Sequence, residues 1–134
     1  MSGGGDAIVV LNAGSSSIKF CTFRRGNTGL ERELRGQVSG LGTAPRLAAR
    51  RGADVVVDRA LDDAAANHAQ ALDLLLDFLR TELRGETIVG VGHRVVHGGL
   101  EFMAPTRIDA GILERLRRYE PLAPLHQPHN LAAI

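Results

Sequence analysis

The pattern of apolar and polar positions predicts strands in the first part of the chain. Two apolar runs, residues 7–11 and 18–23, read as strands, and a small, hydroxyl-rich turn at residues 12–17 separates them. A weaker alternation predicts a third strand at residues 30–38, followed by Gly, Ser and Pro residues that favour a turn. A further short strand is predicted at residues 53–57. Successive strands joined by turns indicate a hairpin-like meander.

Leucines then recur at helical spacing, which predicts a helix with one broad apolar face. Asn67 is a suitable N-cap with Gln70 as its capping-box partner, and Gly85 ends the helix. The apolar stripe consists of Leu72, Leu75, Leu76, Leu79 and Leu83. We interpret this stripe as core packing.

The remaining chain alternates between strand and helix. The apolar run at residues 88–91 predicts a short buried strand, and Asp109 is the expected N-cap of a helix that runs through Arg118. Pro128 suits the first turn of a last helix, in which we find no stop signal. We therefore interpret the chain as the N-terminal piece of a longer protein. Strands first, then helix–strand–helix, indicate one α/β domain with a mixed sheet.

Composition narrows the class of protein. The chain has 134 residues, a net charge of +1 and 4% aromatic residues, which argues against nucleic-acid binding. The single Cys21 excludes an internal disulfide and fits a reducing cytoplasm; within its apolar strand we expect a small core residue. There is no signal peptide pattern and no apolar run near the ~20 residues of a membrane span. We predict a soluble, cytoplasmic protein.

Lys19 is the only lysine of the chain, and the other fifteen Lys or Arg positions are all Arg. It follows the Gly-Ser turn, where a compact ammonium can reach along a phosphate chain and a planar guanidinium fits less well. The backbone N–H groups and hydroxyls of the turn can cradle phosphate oxygens, and Asn12 offers a neutral oxygen to Mg²⁺ or its water shell. The alternatives are a lysine that survives by chance and a generic turn between strands.

The segment 92–99 has the sequence Gly-His-Arg-Val-Val-His-Gly-Gly and follows the predicted buried strand. If strand alternation continues, Arg94 and Val96 face the same way, so a bidentate donor for a carboxylate or phosphate lies beside an apolar wall. The alternative is a structural Arg with two structural histidines, His93 and His97. Their spacing gives no case for zinc, because the glycines and valines favour strand and loop and further ligands are missing.

A third segment, residues 123–126, precedes the helix that is predicted at Pro128. His126 lies where unpaired helix N–H groups favour an anion, and Leu125 adds apolar surface. The alternative is a hydrogen bond of His126 to the cap region. The absence of Gly-x-Ser-x-Gly argues against a serine hydrolase.

Together, these segments resemble the acetate kinase family. Residues 11–20, Leu-Asn-Ala-Gly-Ser-Ser-Ser-Ile-Lys-Phe, are similar to its first signature, residues 92–99 to its second, and residues 123–126 to a third shared stretch. The resemblance spans essentially the whole chain. It implies the acetate-and-sugar-kinase, Hsp70 and actin superfamily, in which two ribonuclease-H-like domains enclose a nucleotide cleft. Residues 1–134 would be an incomplete N-terminal domain without the C-terminal nucleotide-binding domain.

The resemblance also implies roles for individual residues. It implies that Asn12 helps to place Mg²⁺ and that Ser15, Ser17 and Lys19 line the phosphate end of the ATP site. It implies that Arg94 binds the acetate carboxylate and the transferred phosphoryl group. Val96 and Leu125 would form the wall of the methyl pocket, with His126 beside them. Gln127 departs from the family, which usually has Asn there. Since Asn is the better N-cap, we expect a less firm helix start. The general-base Asp, a second catalytic Arg, a further His and a Mg²⁺-binding Glu would follow Ile134.

The resulting hypothesis is an acetate kinase that converts ATP and acetate to ADP and acetyl phosphate, reversibly and with Mg²⁺, and that forms a homodimer at full length. The fragment alone is expected to be inactive. Propionate is the close alternative substrate, and butyrate matches the signatures less well. A non-catalytic half-domain that binds anions or a partner protein is the alternative from another class.

Overall fold

One six-stranded mixed sheet organises the part of the chain that the structure describes. This computed structural model describes residues 5–62, 67–95, 98, 102, 104–118, 120–122 and 127–134. The strands are β1 (Asp6–Ala13), β2 (Ile18–Gly26), β3 (Gly29–Ser39), β4 (Arg46–Arg51), β5 (Asp54–Ala60) and β6 (Thr87–His93). Their order in the sheet is β5-β4-β3-β2-β1-β6. The first five are antiparallel neighbours, and β6 pairs parallel to β1. The predicted meander and mixed sheet are confirmed.

Three helices accompany the sheet in the described residues. They are α1 (His68–Glu82), α2 (Ala110–Arg117) and α3 (Gln127–Ala132), with a 3₁₀ turn at Glu120–Leu122 before α3. Helix α1 connects β5 to β6, which lie at opposite edges of the sheet. Through this crossover, β6 can run parallel to its neighbour β1. No helix among the described residues is long and apolar enough to cross a membrane.

The core lies between one face of the sheet and α1. Alternate residues of β1 are buried, namely Ala7, Val9, Leu11 and Ala13, and they join buried residues of β2, β3 and β4 in one cluster. Helix α1 contributes Ala71, Leu75 and Leu79, and Leu83 follows at its end. The rings of Phe20 and Phe78 meet edge-on, with their centroids 6.1 Å apart. The predicted leucine stripe is therefore core packing, with its centre at Leu75 and Leu79.

Both predicted helix caps are confirmed. The side chain of Asn67 accepts a hydrogen bond from the Gln70 N–H at 2.8 Å, and that of Asp109 accepts one from the Ile112 N–H at 2.8 Å. Gly85 follows α1 with φ +87°, a left-handed conformation that glycine adopts without strain.

The structure corrects the strand predictions at four points. The first turn is shorter than predicted, since the β1–β2 ladder continues through Asn12↔Lys19 and Ala13↔Ile18. Strand β4 was not predicted, and β5 begins and ends later than residues 53–57. Strand β6 is not buried: Val89 and Val91 are 51% and 50% exposed, because β6 lies at the edge of the sheet beside β1 alone.

Helix α3 is confirmed at the position predicted from Pro128, and it begins at Gln127. The Gln127 side chain is fully buried, and its Nε2 donates to the Leu116 carbonyl oxygen at 3.2 Å. Gln127 thereby joins the start of α3 to the end of α2. Leu131 of α3 is also buried, at 4% exposure.

Candidate active site

The Gly-Ser turn lies at the end of the sheet where β1 finishes and β2 begins. Gly14 and Ser17 close the turn through a hydrogen bond from the Gly14 N–H to the Ser17 carbonyl oxygen, 2.8 Å long. Ser15 and Ser16 are exposed and Ser17 is half-buried. The side chains of Ser15 and Ser16 thus lie at the surface, where a ligand can reach them.

Two other parts of the chain hold this turn. The Leu41 N–H, from the loop between β3 and β4, donates to the Ser16 carbonyl oxygen at 3.0 Å. His68 Nε2, from the first residue of α1, lies 2.6 Å from the Gly14 carbonyl oxygen. The turn is therefore fixed by main chain and side chain contacts from outside its own hairpin.

Asn12 and Lys19 are directly opposite each other in the β1–β2 ladder. Residues opposite each other on antiparallel strands point to the same face of a sheet. That face is the one opposite α1, because Leu11 and Ala13, on either side of Asn12, are buried in the core. Asn12 is half-buried and Lys19 is exposed. An amide oxygen and an ammonium group are thus neighbours beside the turn.

The open face of the sheet forms a shallow basin of about 500 Å³ around these two residues. Its described lining includes four cationic side chains and no carboxylate: Lys19, Arg32, Arg35 and Arg50. Arg35 and Arg50 are directly opposite each other on β3 and β4. Like charges placed opposite each other repel, so this face favours an anionic neighbour.

Cys21 also lines this basin, which corrects its expected place in the core. It is half-buried on the open face, directly opposite Val10. Burial raises the pKa of the Cys21 thiol, and the positive charge of Arg32 opposes that shift. The thiol is therefore mostly protonated near neutral pH, which disfavours a nucleophilic role.

Arg94 directly follows β6, at the same end of the sheet as Asn12. Its backbone N–H donates to the Leu11 carbonyl oxygen at 3.0 Å, so its main chain is fixed against β1. The side chain is exposed and borders a second cavity of about 390 Å³. The described lining of this cavity includes the apolar side chains of Val95, Phe102, Ile108 and Ile112 beside polar surface. A guanidinium beside apolar surface suits a small carboxylic acid.

His93 borders the same cavity. Burial lowers the pKa of its imidazole, so the ring is neutral near pH 7. Its Nδ1 atom is buried and has no hydrogen-bond partner among the described residues.

The structure brings most of the predicted site residues to one end of the sheet. Asn12, Ser15, Ser17 and Lys19 share the end of the β1–β2 hairpin, and Arg94 follows the parallel neighbour β6. Lys19 and Arg94 nevertheless border different cavities in the described residues. The predicted residues Val96, Leu125 and His126 lie outside the described residues, as does His97.

Sequence reasoning missed His68. Its contact with Gly14 joins residues 54 positions apart, which no local pattern reveals. The sequence signal that could have pointed to His68 is its position directly after the N-cap Asn67, which makes it the first residue of a helix.

Comparisons with known proteins show the family to which the chain belongs. A sequence model of the acetokinase family matches residues 7–134. The acetate kinase of Rhizobium meliloti is 44% identical over 130 residues, covering 96% of this chain and 33% of the relative. That of Nitrobacter hamburgensis is 47% identical over 133 residues, covering 96% of this chain and 32% of the relative. The chain thus spans about a third of the length of the curated relatives it matches.

Two solved structures share the fold. A propionate kinase from Francisella tularensis superposes with a TM-score of 0.81 at 31% identity, over 95% of this chain and 32% of the other. Porphyromonas gingivalis acetate kinase gives a TM-score of 0.78 at 30% identity, over 96% of this chain and 33% of the other. The predicted ribonuclease-H-like sheet, the N-terminal domain of an actin-like fold, is confirmed. The chain belongs to the acetokinase family.

Proposed function

We propose that this chain is the N-terminal part of an acetate kinase, which transfers a phosphoryl group from ATP to acetate, reversibly, to give ADP and acetyl phosphate. The observation that carries the proposal is the anchored Gly14–Ser17 turn with Asn12 and Lys19 beside it. Exposed hydroxyl groups, backbone N–H groups and one ammonium at a single place suit the oxygens of a phosphate chain.

In this proposal, Ser15, Ser17 and Lys19 bind the phosphates of ATP. Phosphoryl transfer needs positioning and charge neutralisation more than covalent chemistry. Lys19 supplies a positive charge next to the turn, and the described residues include no ion-pair partner for it. Its charge is therefore available to the phosphates.

Asn12 fits a supporting role toward Mg²⁺. The ion prefers oxygen ligands, and in kinases it is held by one or two protein groups together with substrate phosphates and water. The half-buried amide of Asn12, opposite Lys19, offers one neutral oxygen of this kind. When bound, Mg²⁺ neutralises charge on the phosphates.

Arg94 holds the carboxylate of the acceptor and meets the phosphoryl group during transfer. Its backbone is tied to β1, and its side chain is exposed beside a cavity with apolar side chains in its lining. A guanidinium aimed in this way can pair with a carboxylate through two parallel hydrogen bonds. Val96, Leu125 and His126 are proposed to complete the pocket for the methyl group of acetate.

Propionate is a second candidate acceptor, since one similar solved structure is that of a propionate kinase. We also propose that residues 1–134 are an incomplete domain, that the full-length protein is a cytoplasmic homodimer, and that the 134-residue chain alone is inactive. The relatives named acetate kinase are about three times as long as the part that this chain matches.

The test is an assay for acetyl phosphate with ATP and Mg²⁺, run on the 134-residue chain and on a full-length protein that contains it. The full-length protein should form product with acetate, and propionate in place of acetate measures the preference between the two acids. The short chain should give background only. A full-length protein without phosphoryl transfer to either acid would refute the proposed function, and turnover by the short chain would refute its inactivity.

A further inference from the structure

We propose that His68 is a positioning residue for the phosphate-binding turn: it fixes the peptide group between Gly14 and Ser15 so that the Ser15 N–H is available to a phosphate oxygen. This inference rests on the proposed function, because it assumes that the turn binds phosphate. It adds a residue outside the family signatures, on a different element of the fold.

The direction of the hydrogen bond follows from its two atoms. A backbone carbonyl oxygen can only accept, so His68 Nε2 carries the proton and donates to the Gly14 oxygen over 2.6 Å. Both the Nε2-protonated neutral ring and the imidazolium can make this bond. The contact is partly buried, which reduces competition from water.

The contact fixes more than one atom, because a trans peptide group is planar. Its C=O and N–H point in opposite directions, so the Gly14 carbonyl, held toward α1, directs the Ser15 N–H away from α1. Ser15 is exposed, and the described residues contain no acceptor for its N–H. His68 therefore sets the direction of a donor at the centre of the proposed site.

Gly14 makes such a restraint necessary. Glycine lacks a Cβ and allows a wide range of backbone conformations, so the peptide group that follows it can rotate at little cost. Rotation of this group would turn a carbonyl oxygen, with its partial negative charge, toward the phosphate. The neighbouring peptide between Ser16 and Ser17 is held differently, by the main chain N–H of Leu41.

The experiment measures binding of inorganic tripolyphosphate with Mg²⁺ to the ¹⁵N-labelled 134-residue chain by NMR. Four proteins are compared: the wild type, His68→Ala, His68→Gln and Asn67→Ala. The side-chain amide in His68→Gln would place a donor N–H near the position of the imidazole Nε2, whereas the methyl group in His68→Ala cannot donate. Asn67→Ala is the matched control, because it removes the N-cap bond to Gln70 at the start of the same helix and leaves the Gly14 contact in place.

We expect His68→Ala to weaken tripolyphosphate binding about threefold to tenfold, the loss that one hydrogen bond gives. The binding shift of the Ser15 amide should shrink most. His68→Gln should bind within about twofold of the wild type, as should Asn67→Ala. In the wild type, the imidazole ¹⁵N spectrum should show a proton on Nε2 of His68.

Any one of four results would overturn the inference. Equal binding by His68→Ala and the wild type would exclude a positioning role. Failure of His68→Gln to restore binding, or a loss in Asn67→Ala as large as that in His68→Ala, would show that the helix start matters and the donor does not. If residues 14–17 of the wild type do not respond to tripolyphosphate, the phosphate site of the proposed function and this inference both fail. If those residues respond but the variants do not behave as expected, only this inference fails.

Discussion

Arg24 and Arg51, at one end of the sheet, have carboxylate partners, whereas Lys19 and Arg94, at the opposite end, have none among the described residues. We call the end with Asn12, the Gly14–Ser17 turn, Lys19 and Arg94 the site end, and the opposite end the far end. At the far end, Arg24 pairs with Glu86 and, at 3.1 Å, with Glu33, and Arg51 lies 3.5 Å from Glu82. At the site end, Arg46 pairs with Asp58 at 2.6 Å, but neither Lys19 nor Arg94 has an ion-pair partner among the described residues.

The turns at the two ends also differ, both in length and in the contacts that hold them. At the far end, Asn27 and Thr28 join β2 to β3 with a two-residue connection, the shortest common hairpin turn. At the site end, the connection is longer and is held by contacts from Leu41 and His68. Reversing the chain requires neither the extra residues nor the outside contacts.

This contrast separates charges that stabilise the fold from charges that are available to a ligand. Strand β2 carries Arg24 near one end and Lys19 near the other, yet carboxylates of the described chain neutralise only the first. A cation left unpaired in this way, beside an anchored, hydroxyl-rich turn, is available for an anionic ligand. We therefore expect mutations of Lys19 and Arg94 to change activity and mutations of the ion-paired residues at the far end to change stability.

The largest effect is expected from Arg94→Ala in the full-length enzyme. In the proposed function Arg94 is a preorganised donor to the transferred phosphoryl group, so its loss should lower kcat about 10²–10³-fold and raise the KM for acetate. The fold should remain, because the side chain is exposed. Steady-state kinetics together with a circular dichroism spectrum check this. Near wild-type kcat and acetate KM in a folded variant would remove Arg94 from the site.

A stability effect of about 1–3 kcal/mol is expected from Arg24→Ala at the far end. The variant leaves the Glu86 carboxylate, whose side chain is only 8% exposed, without its cationic partner. Lys19→Ala, on the same strand, is the control and should change the free energy of unfolding by less than about 0.5 kcal/mol. Urea denaturation of the 134-residue chain measures both. Equal losses would erase the distinction between the two ends.

A smaller effect on activity is expected from Lys19→Arg. In the proposed site, a planar guanidinium has to fit where a slim ammonium would reach the phosphates, so the KM for ATP should rise clearly while that for acetate changes little. Unchanged ATP kinetics in the full-length enzyme would make Lys19 an ordinary surface lysine.

The smallest effect concerns pH and His93, which ends β6 at the site end. Burial lowers the pKa of its imidazole below 6.5 in the folded protein, so the unfolded chain binds the proton first as the pH falls. The loss of stability from this group therefore begins at about pH 6.5 and grows as the pH falls. It stops growing once the pH is below the pKa of His93 in the folded protein. His93→Gln should show a shallower loss of unfolding free energy between about pH 7 and about pH 5. A variant that keeps the wild-type slope would exclude this contribution.

Much of the fold could be predicted because its signals are local. Each of these signals lies within one continuous segment of the sequence: the apolar alternation of β1, the N-caps Asn67 and Asp109, and the leucine stripe of α1. Strand β4 escaped prediction because Arg46–Arg51 is rich in Arg and Ala, and it is a strand through its pairing with β3 and β5 on either side.

The site was predictable where a signature lies within one segment. Asn12, Ser15, Ser17 and Lys19 fall within eight consecutive residues, and the β1–β2 hairpin brings them together. The anchor at His68 depends on a contact across 54 residues, and the exposure of β6 depends on its place at the edge of the sheet. Both are properties of the assembled fold, which local patterns do not contain.

NMR mapping of bound tripolyphosphate on the wild-type 134-residue chain tests most directly whether the site end binds a phosphate chain. We predict the largest amide shifts at Ser15, Ser16, Ser17 and Lys19, with no change at Asn27 and Thr28 of the far end. Shifts that centre on the far end, or on Arg35 and Arg50 of the open face with none at the turn, would contradict phosphate binding at the site end.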